Sequence, residues 1–288
     1  MSKLTIIVSL LTLAVDAAAD PCPDAPTTSE AAKMYPWQRR HQGYDSLACR
    51  LLPPRGCARL ETKKGSYARW LRHLPLLPAG TGVHSYKGAL ILPASSPALA
   101  AVVDLDTGNR DRQQCADTIM RLRGEYLHHR GRPDGTRFLW AGGRRFGYRE
   151  WSRGLRPVKE GRRWEFRPKA RPARGYHSFR RYLGFMFSWT GTLHQMGEPR
   201  VKPEQIQAGD FLIQGGSPGH AVVLLDLCRD GAGKLRGLIG QGFMPAQDLH
   251  VLRRGSGTPW FELDPEQPTL STPLWRPFRW SDLRRFRY

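Results

Sequence analysis

The chain is 288 residues long, ample for a hydrophobic core in one large domain or two small ones. Its apolar content of 40% is ordinary and excludes a wholly disordered chain. The formal net charge of +20 fits either a solvated arginine-rich surface or a surface that meets anionic partners such as cell-wall polymers, lipopolysaccharide or lipid headgroups.

The first residues set the compartment. Lys3 gives a short positive region, and Leu4 to Val15 form an apolar run too short to span a bilayer comfortably. Ala17-Ala18-Ala19 then offers a small-residue cleavage site. This pattern predicts a secretory signal peptide over residues 1–19 and an exported protein, periplasmic or secreted. Export argues against a specific nucleic-acid partner. No cysteine follows the small residues, which argues against a lipoprotein, and no later stretch is apolar enough to span a membrane. Residues 20–46, rich in Pro, Ser and Ala, read as a flexible N-terminal arm, and residues 47–288 as a single domain.

Export permits disulfides. The cysteines are Cys22, Cys49, Cys57, Cys115 and Cys228, an odd set that leaves at least one thiol without an intrachain partner. Cys49 and Cys57, separated by Pro53-Pro54 and Gly56, fit a short bridged loop; Cys22 could pair with either instead. Cys228 reads as a buried thiol, with a Cys115–Cys228 bridge as a rival.

Further along, Ser66 to His73 reads as a short helix and Ala100 to Leu105, AAVVDL, as a buried strand. Asp111 with Gln114 three residues later suggests a capping box with Asp111 at the cap. Cys115, Ile119, Leu122 and Tyr126 then fall on one helix face, and Gly131 with Pro133 marks the end. Cys115 thus lies in the first turn.

Arg137 to Arg181 is dense in Arg and aromatic residues, with Glu150, Glu160 and Glu165 its only acids. We treat it as an arginine-rich insertion near 137–175. Basic side chains between aromatics can grip a polyanion or stack on sugars; equally, the aromatics can face inward and the charges simply be solvated. Phe179 to His194 reads as a core helix. Phe211 to Gln214, His220 to Leu227 and Leu235 to Gln241 read as strands, with Asp230-Gly231 as a two-residue hairpin turn between the last two. Leu249 to Leu252 and Trp260 to Leu263 extend the sheet. Helices first and antiparallel strands afterwards predict an α+β fold, helices packed on an antiparallel sheet. No spacing suggests a metal site or a cofactor motif.

A cysteine nucleophile needs a favoured thiolate, a base within reach and a group that orients the base. A helix N-terminus lowers a thiol pKa from about 8.5 toward 4–7 and its N–H groups can hold an oxyanion. His220 opens a strand behind Gly215-Gly216-Ser217-Pro218-Gly219, a loop without bulky side chains. Gly216, Ser217 and Gly219 are therefore candidate substrate-binding positions. With a two-residue turn at Asp230-Gly231, His220 faces Gln241, whose amide would accept the far imidazole proton. Asp226 shares the face of His220 but lies roughly 20 Å along the strand, too far to serve. By the same spacing Cys228 lies roughly 26 Å from His220, so Cys115 cannot contact both.

The segments RDRQQCADTIMRLRGEYL, AGDFLIQGGSPGHAVVLLDL and GQGFMPAQDLHVL resemble, in order, the bacterial domain-of-unknown-function 4846 family, from roughly Leu51 to the C-terminus. The first two also resemble NlpC-type and papain-like cysteine hydrolases, with Gln114-Cys115-Ala116 where those have Asp-Cys-Ser. That second resemblance implies a papain-like or NlpC-like core, with Cys115 as nucleophile, Asp210 as a structural residue, His220 as base and Gln241 as orienter. The expectation is an exported Cys-His peptidase or amidase, without cofactor or metal, acting on peptidoglycan or another anionic envelope polymer. Peripheral membrane contact is compatible with the same charge. The alternative is a non-catalytic protein that binds an anionic glycan through the arginine-rich segment.

Overall fold

The run HAVVLLDLCRD, His220–Asp230, shows no polar-apolar alternation over most of its length, and such a strand has to be covered on both faces. A computed structural model of the chain, describing residues 22, 25–38, 45–140 and 142–287, shows this. The expected signal peptide lies outside the described residues.

Helices α1 (Thr28–Met34), α2 (Leu47–Arg50) and α3 (Tyr67–Arg72) lead to α4 (Cys115–His129). Helix α5 (Tyr148–Ser152) follows, then α6 (Tyr176–Trp189) and α7 (Thr192–Gln195). The strands are β1 (Cys57–Arg59), a hairpin β2 (Val83–His84) and β3 (Leu90–Leu92), and β4 (Leu99–Val102). Two hairpins come next: β5 (Arg137–Leu139) with β6 (Arg145–Gly147), and β7 (Leu155–Glu160) with β8 (Arg163–Pro168). After these come β9 (Phe211–Gln214), β10 (His220–Asp230), β11 (Leu235–Gln241), β12 (His250–Leu252) and β13 (Trp260–Glu262). A short pair β14 (Thr269–Leu270) and β15 (Phe278–Arg279) precedes β16 (Leu283–Arg284).

Among the described residues the main sheet has eight antiparallel strands in the order β16-β9-β10-β11-β12-β4, with β1 beside β10 and β13 beside β11. Ala221, Val223 and Leu225 of β10 point into a core shared with α4 and α6; Val222, Leu224 and Leu227 point into a second core with Ile239, Leu252 and Phe278. The fold is therefore α+β, with helices packed against a large antiparallel sheet.

Helix α4 lies directly against β10 and is buried on nearly every side. Arg121 and Glu125 survive there because they are paired. Arg121, fully buried, bonds Glu125 Oε1 at 2.6 Å, Gln113 Oε1 at 2.9 Å and Asp106 Oδ1 at 2.9 Å. Arg180 of α6 grips the same Asp106 through both carboxylate oxygens, and the Tyr176 hydroxyl donates to Glu125. Asp226, in the bulged part of β10, is likewise held by Arg59 and Arg72 at 2.8 and 2.9 Å.

Four expectations change. The described part of the N-terminal segment is no loose arm: α1 is capped by Thr27, and Tyr35 and Trp37 pack into the core around Trp70. The bridges are Cys22–Cys49 and Cys57–Cys228, not Cys49–Cys57, and Cys228 is not a thiol. The reason is the pairing of β1 with the far end of β10, which brings together residues 171 apart. Helix α4 begins at Cys115, with Gln114 at the cap; Asp111 instead accepts from the Gln114 amide and the Ala246 N–H, tying the segment before the helix to the loop after β11. The β10–β11 turn is the longer Asp230–Lys234 loop, its N–H groups at Ala232 and Lys234 bonded to the Asp230 carboxylate. Asp226→Ala leaves Arg59 and Arg72 with carbonyl partners but no carboxylate, and is expected to lower stability by about 3 kcal/mol; chemical denaturation measures this.

Candidate active site

Cys115 is the first residue of α4, 3% exposed. The helix starts there because Gln114 is extended while its N–H is taken by the Asp117 carboxylate at 3.3 Å. The end of β11 lets the helix come close. A Cβ on Gly242 would meet Thr118 Oγ1 at 2.5 Å and the Gln114 carbonyl at 3.3 Å, so only glycine fits without displacement. On its other side the thiol lies against the backbone of Ala221, the residue after His220.

Cys115 lines a cleft of about 500 Å³ together with Gly216, Ser217 and Gly219, the loop residues singled out in the sequence. Asp117, Thr190 and Thr192 complete much of its polar wall. Gly219 is a close-approach position: a Cβ there would stand 2.2 Å from Thr192 Oγ1 and 2.8 Å from the Gln214 carbonyl. His220 and Gln241 are not on this wall; both are fully buried behind it. They meet, with His220 Nε2 and Gln241 Oε1 2.7 Å apart. The expected contact forms, but by another register. Val223 lies opposite Gly240, so Gln241 is diagonal to His220 rather than directly across. An even shift keeps both side chains on one face. Asp210 stays remote, bonded to Arg285 and to the Gln207 N–H.

Some residues here gave no early signal. His250 sits directly across from Gln241 on β12, its Nε2 3.2 Å from Gln241 Nε2 and its Nδ1 3.0 Å from the Asp248 carbonyl. Its place on the short apolar segment Leu249 to Leu252 was the available clue. Phe243, Trp275 and Phe278 pack around the His220 ring, with centroids 4.7, 4.9 and 6.2 Å away. His220 Nδ1 is buried and bonded to nothing among the described residues, Cys115 included.

Burial dominates the electrostatics. It pushes the Cys115 thiol up to about 11, with the Asp117 carboxyl adding to the effect; the N–H groups of Ala221, Ala116 and Cys115 pull the other way and lose. The expected lowering by the helix N-terminus is thus overturned. Burial also holds His220 down to about 4, against the Gln241 hydrogen bond and with help from His250, and His250 itself down to about 4. Asp117 is raised well above the usual carboxylate range by burial.

The family model described as Domain of unknown function (4846) matches residues 47–285. No curated protein and no solved structure matches the chain.

Two outcomes follow from these values. Iodoacetamide labelling of Cys115 in the free protein is expected to be slow at pH 7 and to rise about tenfold per pH unit toward pH 10, since the thiolate is the reacting form; a plateau near pH 7 would mean a lowered thiol. Between about pH 6.5 and 4 the unfolded chain binds histidine protons that the folded one refuses. The contribution of His220 and His250 is therefore complete above about 6.5 and falls away on acidification, by up to about 1.4 kcal/mol per unit for each. Wild type should lose stability more steeply over this window than His250→Phe. The comparison cancels Asp117, whose raised pKa acts in the opposite sense.

Proposed function

The chain belongs to the domain-of-unknown-function 4846 family, and within it we propose that this protein is an exported cysteine hydrolase of amide or peptide bonds in cell-envelope material. The observation that carries this reading is the juxtaposition at the start of α4. Cys115 lines an open cleft while its thiol lies against the strand whose first residue, His220, presents a buried and unpartnered ring nitrogen. The two disulfides fit an oxidising, extracytoplasmic compartment, periplasmic or secreted. A papain-like or NlpC-like arrangement of helix and strands is part of the same proposal.

Cys115 and His220 are both neutral at rest, so the proton leaves Sγ as attack proceeds rather than beforehand. Sγ bonds to the carbonyl carbon and His220 takes the thiol proton. The carbonyl oxygen becomes an oxyanion that the Cys115 N–H supports. Collapse breaks the C–N bond, His220 passes its proton to the leaving amine, and water then hydrolyses the thioester. Gln241 holds the imidazole, and the side-chain-poor Gly216, Ser217 and Gly219 loop admits the substrate backbone. A wall polymer such as peptidoglycan supplies both amide bonds and anionic groups for the basic surface.

One observation favours a second reading. A thiol held near 11 in a 3% exposed position suits packing, and a scaffold of this kind could bind an anionic glycan without catalysis. Purified protein incubated with peptidoglycan fragments separates the two. Release of new amino groups, lost at least 10³-fold in both Cys115→Ala and His220→Ala, is expected. No release by wild type, with binding that weakens steeply with salt and is unchanged in Cys115→Ala, would replace the hydrolase by the binding protein.

A further inference from the structure

The polar chain behind His220 has one end whose role chemistry dictates. The Asp248 backbone carbonyl can only accept, so His250 Nδ1, 3.0 Å away, carries the proton. A neutral imidazole with its proton on Nδ1 has a lone pair on Nε2. That lone pair needs a donor, and the facing atom at 3.2 Å is the Gln241 amide nitrogen. The amide oxygen is then the atom turned to His220, 2.7 Å from Nε2, and an amide oxygen only accepts. His220 must therefore carry its proton on Nε2 and its lone pair on Nδ1, the nitrogen with no partner. Each assignment follows from the one before it, so the direction of the amide is set by the backbone carbonyl of Asp248.

We propose that His250 is a positioning residue, which through Gln241 locks His220 in the tautomer whose lone pair is on Nδ1. The reading of Cys115 and His220 as the reacting pair is what gives this lock its use. A base accepts a proton only on the nitrogen that bears the lone pair, and the other nitrogen is engaged with Gln241. Every link is enclosed: His220, Gln241 and His250 are each 0% exposed, so water cannot stand in for a missing partner. Both imidazoles being held down to about 4 keeps the two rings neutral, as the relay requires. Direct cross-strand pairing of Gln241 with His250, together with β12's own pairing to β4, keeps the relay in place from the far side.

The lock has a signature that packing alone does not produce: two neutral histidines of opposite tautomer in one protein. Long-range ¹H–¹⁵N correlation on histidine-labelled full-length protein at pH 7 reads it directly, with His220→Ala and His250→Phe used for assignment. His220 is expected as the Nε2–H form and His250 as the Nδ1–H form. In His250→Phe the Gln241 amide loses the acceptor that orients it, and the His220 pattern should become mixed or invert. Wild-type His220 protonated on Nδ1, or an unchanged His220 pattern in a folded His250→Phe variant, would overturn the proposal. If His250→Phe does not fold, the wild-type tautomers alone decide it. The lock standing while peptidoglycan fragments remain uncleaved by wild type would remove the hydrolase reading and leave the relay intact.

Discussion

Burial of β10 on both faces is the constraint on which the rest of the molecule depends. From His220 to Cys228 the strand has almost no solvent exposure, so a layer must lie on each side. On one side that layer is α4, and α4 is in turn covered by α6 and by the segment before α3, which buries it nearly all round. A helix in that position cannot keep unpaired charge. Arg121, Glu125, Asp106 and Arg180 therefore form one connected cluster, and Asp226 on the strand itself is met by two arginines. The Cys57–Cys228 bridge ties the far end of the same strand to its edge partner.

The same burial shapes the candidate site. A helix N-terminus offers a thiolate up to ~2 kcal/mol in favourable, partly buried geometry, whereas removing a charge from water costs several kcal/mol. At Cys115 the second effect is larger, and the thiol rises instead of falling. The His220 imidazole is moved the other way for the same reason. Site and core are thus one continuous region, with the cleft reaching the cysteine at its rim and the histidine relay lying wholly inside.

The arginine-rich segment separates its two kinds of side chain. Phe138, Trp140, Phe146, Tyr148 and Trp151 point into the core, Phe138 against Phe286 and the other four against rings of α6, while Arg153, Arg162, Arg163, Arg171 and Arg174 are exposed. The aromatics are consumed by packing and do not alternate with cations on an open face. What remains outside is charge on the β7–β8 hairpin and the segments that flank it.

By itself the sequence determined the strands β9, β10 and β11 and the helix that Cys115 begins, because hydrophobic runs and the periods of helix and strand are local properties. His220 and Gln241 nonetheless share a face because the longer turn moves the register by three at Arg229 and the bulge between Leu224 and Asp226 returns one, leaving an even shift of two at His220. Tertiary structure alone decided the rest. Which cysteines pair depended on β1 finding β10 across 171 residues, and no local pattern encodes that. The relay through His250 depended on β12 lying next to β11, and the charge states of Cys115 and His220 depended on how much protein closed over them. Desolvation is a property of everything within several ångströms of a group, gathered from distant parts of the chain, so spacing along the chain could name the candidates but not their protonation.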